Sequence, residues 1–135
     1  MRHLGVDFGE KRTGIAASDE GGKIAFPRET LSGDLEKIIK KIKEICVKEK
    51  VGRIIVGLPL SFGGRETAQT KEAKIFAGKL EKSIGLPVDF ENEILTSKMV
   101  ERDIKEGRIK KEKIDAASAA IILQSYLDKH LTINN

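Results

Sequence analysis

The sequence is poor in several things that would each point to a function. It has one cysteine, so no intramolecular disulfide and no cysteine-built zinc site can form. It has one tyrosine and no tryptophan, which leaves little material for a base-stacking platform. Only three prolines and 13 glycines occur in 135 residues, which excludes collagen-like and low-complexity chains. No apolar run approaches the ~20 residues that would span a bilayer. The opening MRHLGVDFGEKR meets glycine and charge too early for a secretory signal, so a cytoplasmic protein with no membrane partner is expected.

What is present suits a folded domain. Hydrophobic residues make up 39% and charged residues 34%, and the length is that of a single unit, 1–135, with residues 131–135 expected as a frayed tail. Lysine and arginine number 25 against 21 acids, a net charge of +4 that permits a polyanionic partner without requiring one.

Periodicity supplies the element order. Residues 3–8, 13–18 and 24–26 read as three short strands joined by tight turns, the third ending before Pro27. Connections this short join only antiparallel neighbours. Leu35, Ile38, Ile39, Ile42, Ile45 and Cys46 then recur at helical spacing, with Ser32 or Asp34 as cap. Residues 53–58 are apolar on both faces, as a central parallel strand is. Ala73, Phe76, Ala77, Leu80 and Ile84 mark a second helix, and residues 87–93 a further strand. A short helix around Val100 and Ile104 and a last one over about 114–128 complete the chain. The expected fold is α/β: a mixed five-stranded sheet, three antiparallel strands then parallel αβ crossovers, with helices on both faces.

Sites in such sheets lie beyond the carboxyl ends of the parallel strands. Three acids stand there. Asp7 interrupts an apolar strand, where an unpaired carboxylate is costly. Glu93 closes the last strand, and Asp115 opens the last helix. Together they could hold Mg²⁺ or Mn²⁺, and two such ions about 4 Å apart suit phosphodiester cleavage. Each acid also has a plainer reading. Asp115 could cap its helix, Glu93 could face solvent in phase with Asp89 and Glu91, and Asp7 could brace a turn. Lys11 and Arg12 on the first hairpin, Arg65 on a glycine-rich loop, and Lys98, Lys110 and Lys111 near the last helices are candidate phosphate contacts. His3 and His130 show no partner spacing, and Cys46 reads as a core thiol.

Three blocks resemble one family. Gly5-Val-Asp-Phe-Gly-Glu-Lys-Arg-Thr-Gly-Ile-Ala-Ala-Ser-Asp19 is similar to the opening motif of the YqgF/RuvX family. Val56-Gly-Leu-Pro-Leu60 with Gly63-Gly64 resembles its second block, and residues 114–127 its last helix. The resemblance implies a ribonuclease H-like fold and a metal-dependent endonuclease acting on pre-16S rRNA or Holliday junctions. Asp7, Glu93 and Asp115 then take the catalytic and metal-holding positions, with two Mg²⁺ or Mn²⁺ ions as cofactors, in a monomer or weak homodimer. One block departs: where the family has Asp-Glu-Arg, this chain has Asn92-Glu93-Ile94, which implies weaker metal binding. A non-catalytic nucleic-acid-binding or assembly factor is the alternative. A nucleotide-binding ATPase module is a third reading, since Asp-Phe-Gly followed by Gly-Ile-Ala resembles a phosphate hairpin.

Overall fold

The structure is a computed structural model that describes residues 1–61, 63–93, 105–107 and 114–133, the last three by backbone alone. The helix expected around Val100 and Ile104, and the candidates Lys98, Lys110 and Lys111, lie outside the described residues.

Strands β1 (Arg2–Phe8), β2 (Arg12–Ser18) and β3 (Ala25–Ser32) form the antiparallel meander. β3 runs six residues past Phe26, where the sequence reading had ended it. The cause is its place in the sheet, whose order is β3-β2-β1-β4-β5. On an edge strand the missing N–H of Pro27 can face solvent, and the pairing of Pro27 with Ala16 coincides with a register shift that absorbs the misfit.

The parallel part follows. Helix α1 (Leu35–Lys48) is capped by Asp34, whose carboxylate accepts from the Lys37 N–H at 2.9 Å. β4 (Val51–Leu58) lies between β1 and β5 (Val88–Asn92), parallel to both, and Ile54, Ile55 and Val56 are wholly buried. Between them α2 (Ala68–Ile84) opens with a reciprocal Thr67–Thr70 capping box and stops at Gly85, whose φ of 78° only glycine adopts freely. Helix α3 (Ile114–Ile133) continues past Asp128, so residues 131–133 are helical rather than a frayed tail.

Strand alternation divides the sheet into two faces. Leu4, Val6, Ile15, Ile54 and Val56 point toward α1 and α2, where they pack with Ile38, Ile42, Phe76 and Leu80. Fully burying each such side chain contributes about 1.5–3 kcal/mol. The other face packs Ala16 and Ile55 against Ala119, Ile122, Leu123, Tyr126 and Leu127 of α3. Here the helix lies very close. A Cβ on Gly5 would stand 2.8 Å from Leu123 Cβ, and one on Gly14 only 1.8 Å from the Asp115 carbonyl oxygen. Both glycines therefore exist to admit α3, and Gly14 sets the depth of its first turn.

Candidate active site

The carboxyl ends of β1, β4 and β5 and the first turn of α3 meet at one end of the sheet. Asp7 is the last residue but one of β1, on the α3 face. Glu93 follows β5 directly, and its N–H donates to the Leu58 carbonyl at 3.3 Å, which holds it in the strand's register. β4 runs between them, so at ~4.8 Å per strand their backbones stand roughly 10 Å apart. The carboxyl groups are nevertheless close enough for each to act on the other's charge. Glu93 reaches over Gly57, the intervening position on β4. A Cβ there would lie 2.5 Å from Glu93 Oε2 and 2.6 Å from Ile122 Cδ1. The absent side chain of Gly57 leaves the space that Glu93 Oε2 occupies beside Ile122.

Burial penalises charge on both acids. Desolvation raises Asp7 to about 6, with the Asp115 charge pushing the same way. Glu93 rises further, to about 8, from desolvation first and then from the charge of Asp7. Burial therefore favours the protonated form in this pair, where ordinary carboxylates are ionised. Glu93 Oε2 is buried without a hydrogen-bond partner. An orphaned acceptor of this kind beside a second carboxylate is a place for a cation.

Asp115 sits in the first turn of α3, where its charge favours the helix dipole. Its carboxylate is engaged by Arg12, Nε to Oδ2 at 3.0 Å, across the gap that Gly14 leaves. Arg12, expected to hold phosphate, thus holds an acid of the site. Among the described residues no three acid, histidine or cysteine side chains already stand as one metal-binding group.

Glu93 does not share a solvent-facing phase with Asp89 and Glu91, because that phase faces α3. Asp89 accepts from Arg53 Nη1 at 2.7 Å and from the Tyr126 hydroxyl at 2.6 Å. Glu91 is buried and accepts from Ser125 at 2.7 Å and Lys129 at 2.6 Å. The apolar Phe90 is left exposed instead. His3 and His130, which sequence spacing left unconnected, line one hollow with Tyr126 at the opposite end of the sheet, where His130 stacks on Tyr126 at 3.9 Å. Cys46 is buried, and its thiol is pushed up to about 11, so it is no nucleophile.

Lys11 is exposed at the tip of the β1–β2 hairpin. Arg65 is exposed on a loop closed by Ser61, whose N–H donates to the Arg65 carbonyl at 3.0 Å and whose hydroxyl accepts from the Arg65 N–H at 3.1 Å. Asn92 is exposed at the end of β5, and Ile94 lies outside the described residues. Sequence reasoning missed Gly14 and Gly57. The available signal was a glycine ending an otherwise aliphatic central strand, which marks a close approach.

This is an α/β domain with Asp7 near the end of β1, Glu93 after the edge strand β5 and Asp115 at the start of α3. Residues 1–129 match the RuvX family, described as "Holliday junction resolvase". A "Putative pre-16S rRNA nuclease" of Maridesulfovibrio salexigens is 37% identical over 132 residues, 94% of this chain and 98% of that protein. Another of that name, from Syntrophomonas wolfei, is 40% identical over 133 residues, 95% and 94% of the two chains. The chain belongs to the RuvX family, and it is a phosphodiester hydrolase of the nuclease class. Among solved structures, Thermus thermophilus RuvC in complex with a Holliday junction substrate superposes with a TM-score of 0.65 at 14% identity, covering 98% of this chain and 96% of that one. That likeness shows the fold, which is ribonuclease H-like.

Proposed function

We propose that the protein is a divalent-metal-dependent endonuclease that trims the 5′ end of pre-16S rRNA in the cytoplasm, cutting at the Asp7–Glu93–Asp115 end of the sheet. The observation that carries this reading is the buried Asp7–Glu93 pair, with one Glu93 oxygen over Gly57 left without a partner. Two neighbouring acids whose charge is penalised by burial gain most from a dication, and hard oxygen donors favour Mg²⁺ or Mn²⁺. The relatives' names favour the RNA substrate over a branched DNA.

Asp7, Glu93 and Asp115 would hold two ions. When bound, the ions supply an acidified water and charge stabilisation of the leaving oxygen. The chain's own part is to release the proton that burial favours on Asp7 and Glu93 and to surrender the Arg12–Asp115 pair. Arg12 is then free for a phosphate, as Lys11 and Arg65 are from the start. Hydrolysis adds water at phosphorus and breaks one P–O bond. Buried carboxylates that repel each other without a cation suit binding of metal together with substrate.

The test is cleavage of a pre-16S rRNA fragment and of a four-way DNA junction, side by side, with Mg²⁺, Mn²⁺ or chelator. Metal-dependent cleavage of the RNA, lost in Asp7→Asn, is the expected result. Preference for the junction would move the substrate assignment to DNA. Binding without cleavage under every condition would favour an assembly factor.

A further inference from the structure

Helix α1 carries charge that the site leaves unused. Lys37, Lys40, Lys41, Lys43 and Lys48 on the helix, with Lys50 just beyond, are all exposed. None forms an ion pair with an acid among the described residues, whereas Lys74 pairs with Glu66 and Lys129 with Glu91. Two acids, Glu36 and Glu44, lie among them. Glu49 is taken by Arg28 at 2.5 Å, and Asp34 caps the helix. Six lysines against Asp34, Glu36 and Glu44, with Glu49 neutralised by Arg28, leave an excess of three on this surface. Surface lysines are ordinarily dispersed among acids, and self-repulsion on this scale marks a face that meets a polyanion.

The placement of α1 says which polyanion. Ser32, at the end of β3, pairs with Arg12 at the start of β2, so α1 begins at the same end of the sheet as the three acids. It then runs back along the opposite face, and its far end reaches Lys48 and Lys50 beside Met1 and Arg2. Lys11 is exposed on the hairpin at that same end of the sheet. The lysines of α1 thus start at the site's end of the sheet and continue down the helix.

We propose that the lysine face of α1 is a second contact surface for the substrate, tracking the phosphate backbone of a helical arm beyond the bond being cut. This deepens the nuclease reading and rests on it. Fourteen residues at 1.5 Å give about 21 Å of helix, long enough to follow several successive phosphates of one strand. Contacts would be to phosphates, because the deep, narrow major groove of an RNA duplex keeps side chains from the base edges.

The experiment compares Lys40→Glu/Lys43→Glu with Lys79→Glu/Lys82→Glu on α2, which has the same charge change, the same spacing and equally exposed positions. Binding and cleavage are measured on two RNA substrates, one with an arm too short to reach along α1 and one with an arm longer than its ~21 Å. The α1 variant should lose about tenfold in affinity for the long-arm substrate, and the slope of log affinity against log salt should fall by about two. Its turnover of the short-arm substrate should be unchanged, and the α2 variant should resemble wild type on both. Lys40→Gln/Lys43→Gln should give a smaller loss in the same direction, and melting curves would report intact folding. Equal losses in the α1 and α2 variants would show a bulk charge effect and overturn the proposal. So would an α1 variant that behaves as wild type. Failure of the wild-type protein to bind or cut either substrate would instead bring down the nuclease reading itself, and this surface with it.

Discussion

Under α1 and α2 the sheet presents Leu4, Val6, Ile15, Ile54 and Val56, every one wholly buried. Under α3 the alternate positions of the same strands present Gly5, Asp7, Gly14, Arg53, Gly57 and Asp89, with Glu91 and Glu93 at the end. One backbone therefore serves two kinds of surface separated by a single peptide unit. The first face gains stability from close-packed aliphatic volume. The second gives up side chains at three glycines so that a helix and the Glu93 carboxyl come close, and it carries buried charge that must be matched partner by partner. A face built in that way holds a site because its misfits are concentrated at the open end. Arg53 and Tyr126 satisfy Asp89, and Ser125 and Lys129 satisfy Glu91, yet Glu93 Oε2 is left with nothing.

The contrast breaks most visibly on the aliphatic side. Phe76→Ala should cost about 3–5 kcal/mol of stability, since the ring is wholly buried and stacked on Phe8 at 4.2 Å. Turnover of the folded fraction, assayed well below the melting temperature, should be unchanged. A variant that unfolds little but loses activity would show that the aliphatic face also shapes the site. Gly57→Ala works the other way. One methyl group must displace Glu93 Oε2 or Ile122, at about 1–3 kcal/mol. Cleavage should fall by about a hundredfold, because misplacing a catalytic group by 1 Å has roughly that effect. Gly78→Ala on α2, with open space around it, should instead stabilise by up to about 1 kcal/mol and leave cleavage alone. Matching effects from the two glycines would remove the special role given to position 57.

Much of this fold was legible because it depends on local pattern. Short runs bounded by turns marked β1 and β2, an unbroken apolar run marked β4, period-3.6 spacing marked α1 and α2, and short turns required the antiparallel meander. The reading failed at Pro27, where strand position decides whether a missing N–H matters, and position is a tertiary fact. It failed at Asp89 and Glu91 because alternation tells which residues share a face but not which face is buried. That depended on Tyr126, Ser125 and Lys129, more than thirty residues away. At the site, Asp7 was legible as a carboxylate inside an apolar strand. The Arg12–Asp115 pair was not, since it joins a hairpin to a helix a hundred residues on. The gap at Gly57 could not be seen either, because it exists only between neighbouring strands.

The acids predict how the metal-free protein responds to pH. Asp7 and Glu93 both titrate higher in the folded chain than in the unfolded one. The folded state thus binds more protons above pH ~4, and stability is fully present below that point. It should be lost progressively as the pH rises through about 6 and on to about 8. Asp7→Asn removes one charge of the pair and should melt a few degrees higher than wild type at pH 8, with a flatter pH dependence and no hydrolysis. Adding Mg²⁺ or Mn²⁺ should recover the lost stability in wild type and much less of it in the variant. Melting curves from pH 4 to 9, with and without metal, would test both. Stability that rises toward pH 8 in the metal-free wild type would mean that burial does not favour the protonated form of these two carboxyls.

The smallest effect expected is at Asn92, and it separates the two faces most sharply. The departure from the family's acidic residue at this position suggested weaker metal binding. Asn92, however, shares its alternation phase with Val88, which packs on the α1 and α2 side, and its side chain is exposed. An aspartate there would sit across the sheet from Glu93 and act on a bound cation mostly through water, where screening reduces a charge within about 8–10 Å. Asn92→Asp should therefore tighten Mn²⁺ binding by no more than about twofold. Arg12→Gln acts on the other face. It releases Asp115 from an ion pair at 3.0 Å and removes a positive charge beside the presumed cation. Because Arg12 is largely exposed, the gain should still be modest, about three- to tenfold in affinity. Calorimetric titration of Mn²⁺ into wild type, Asn92→Asp and Arg12→Gln gives the ranking directly. A larger gain from Asn92→Asp than from Arg12→Gln would show that metal affinity follows the summed charge at the sheet's end and not the face on which each charge stands.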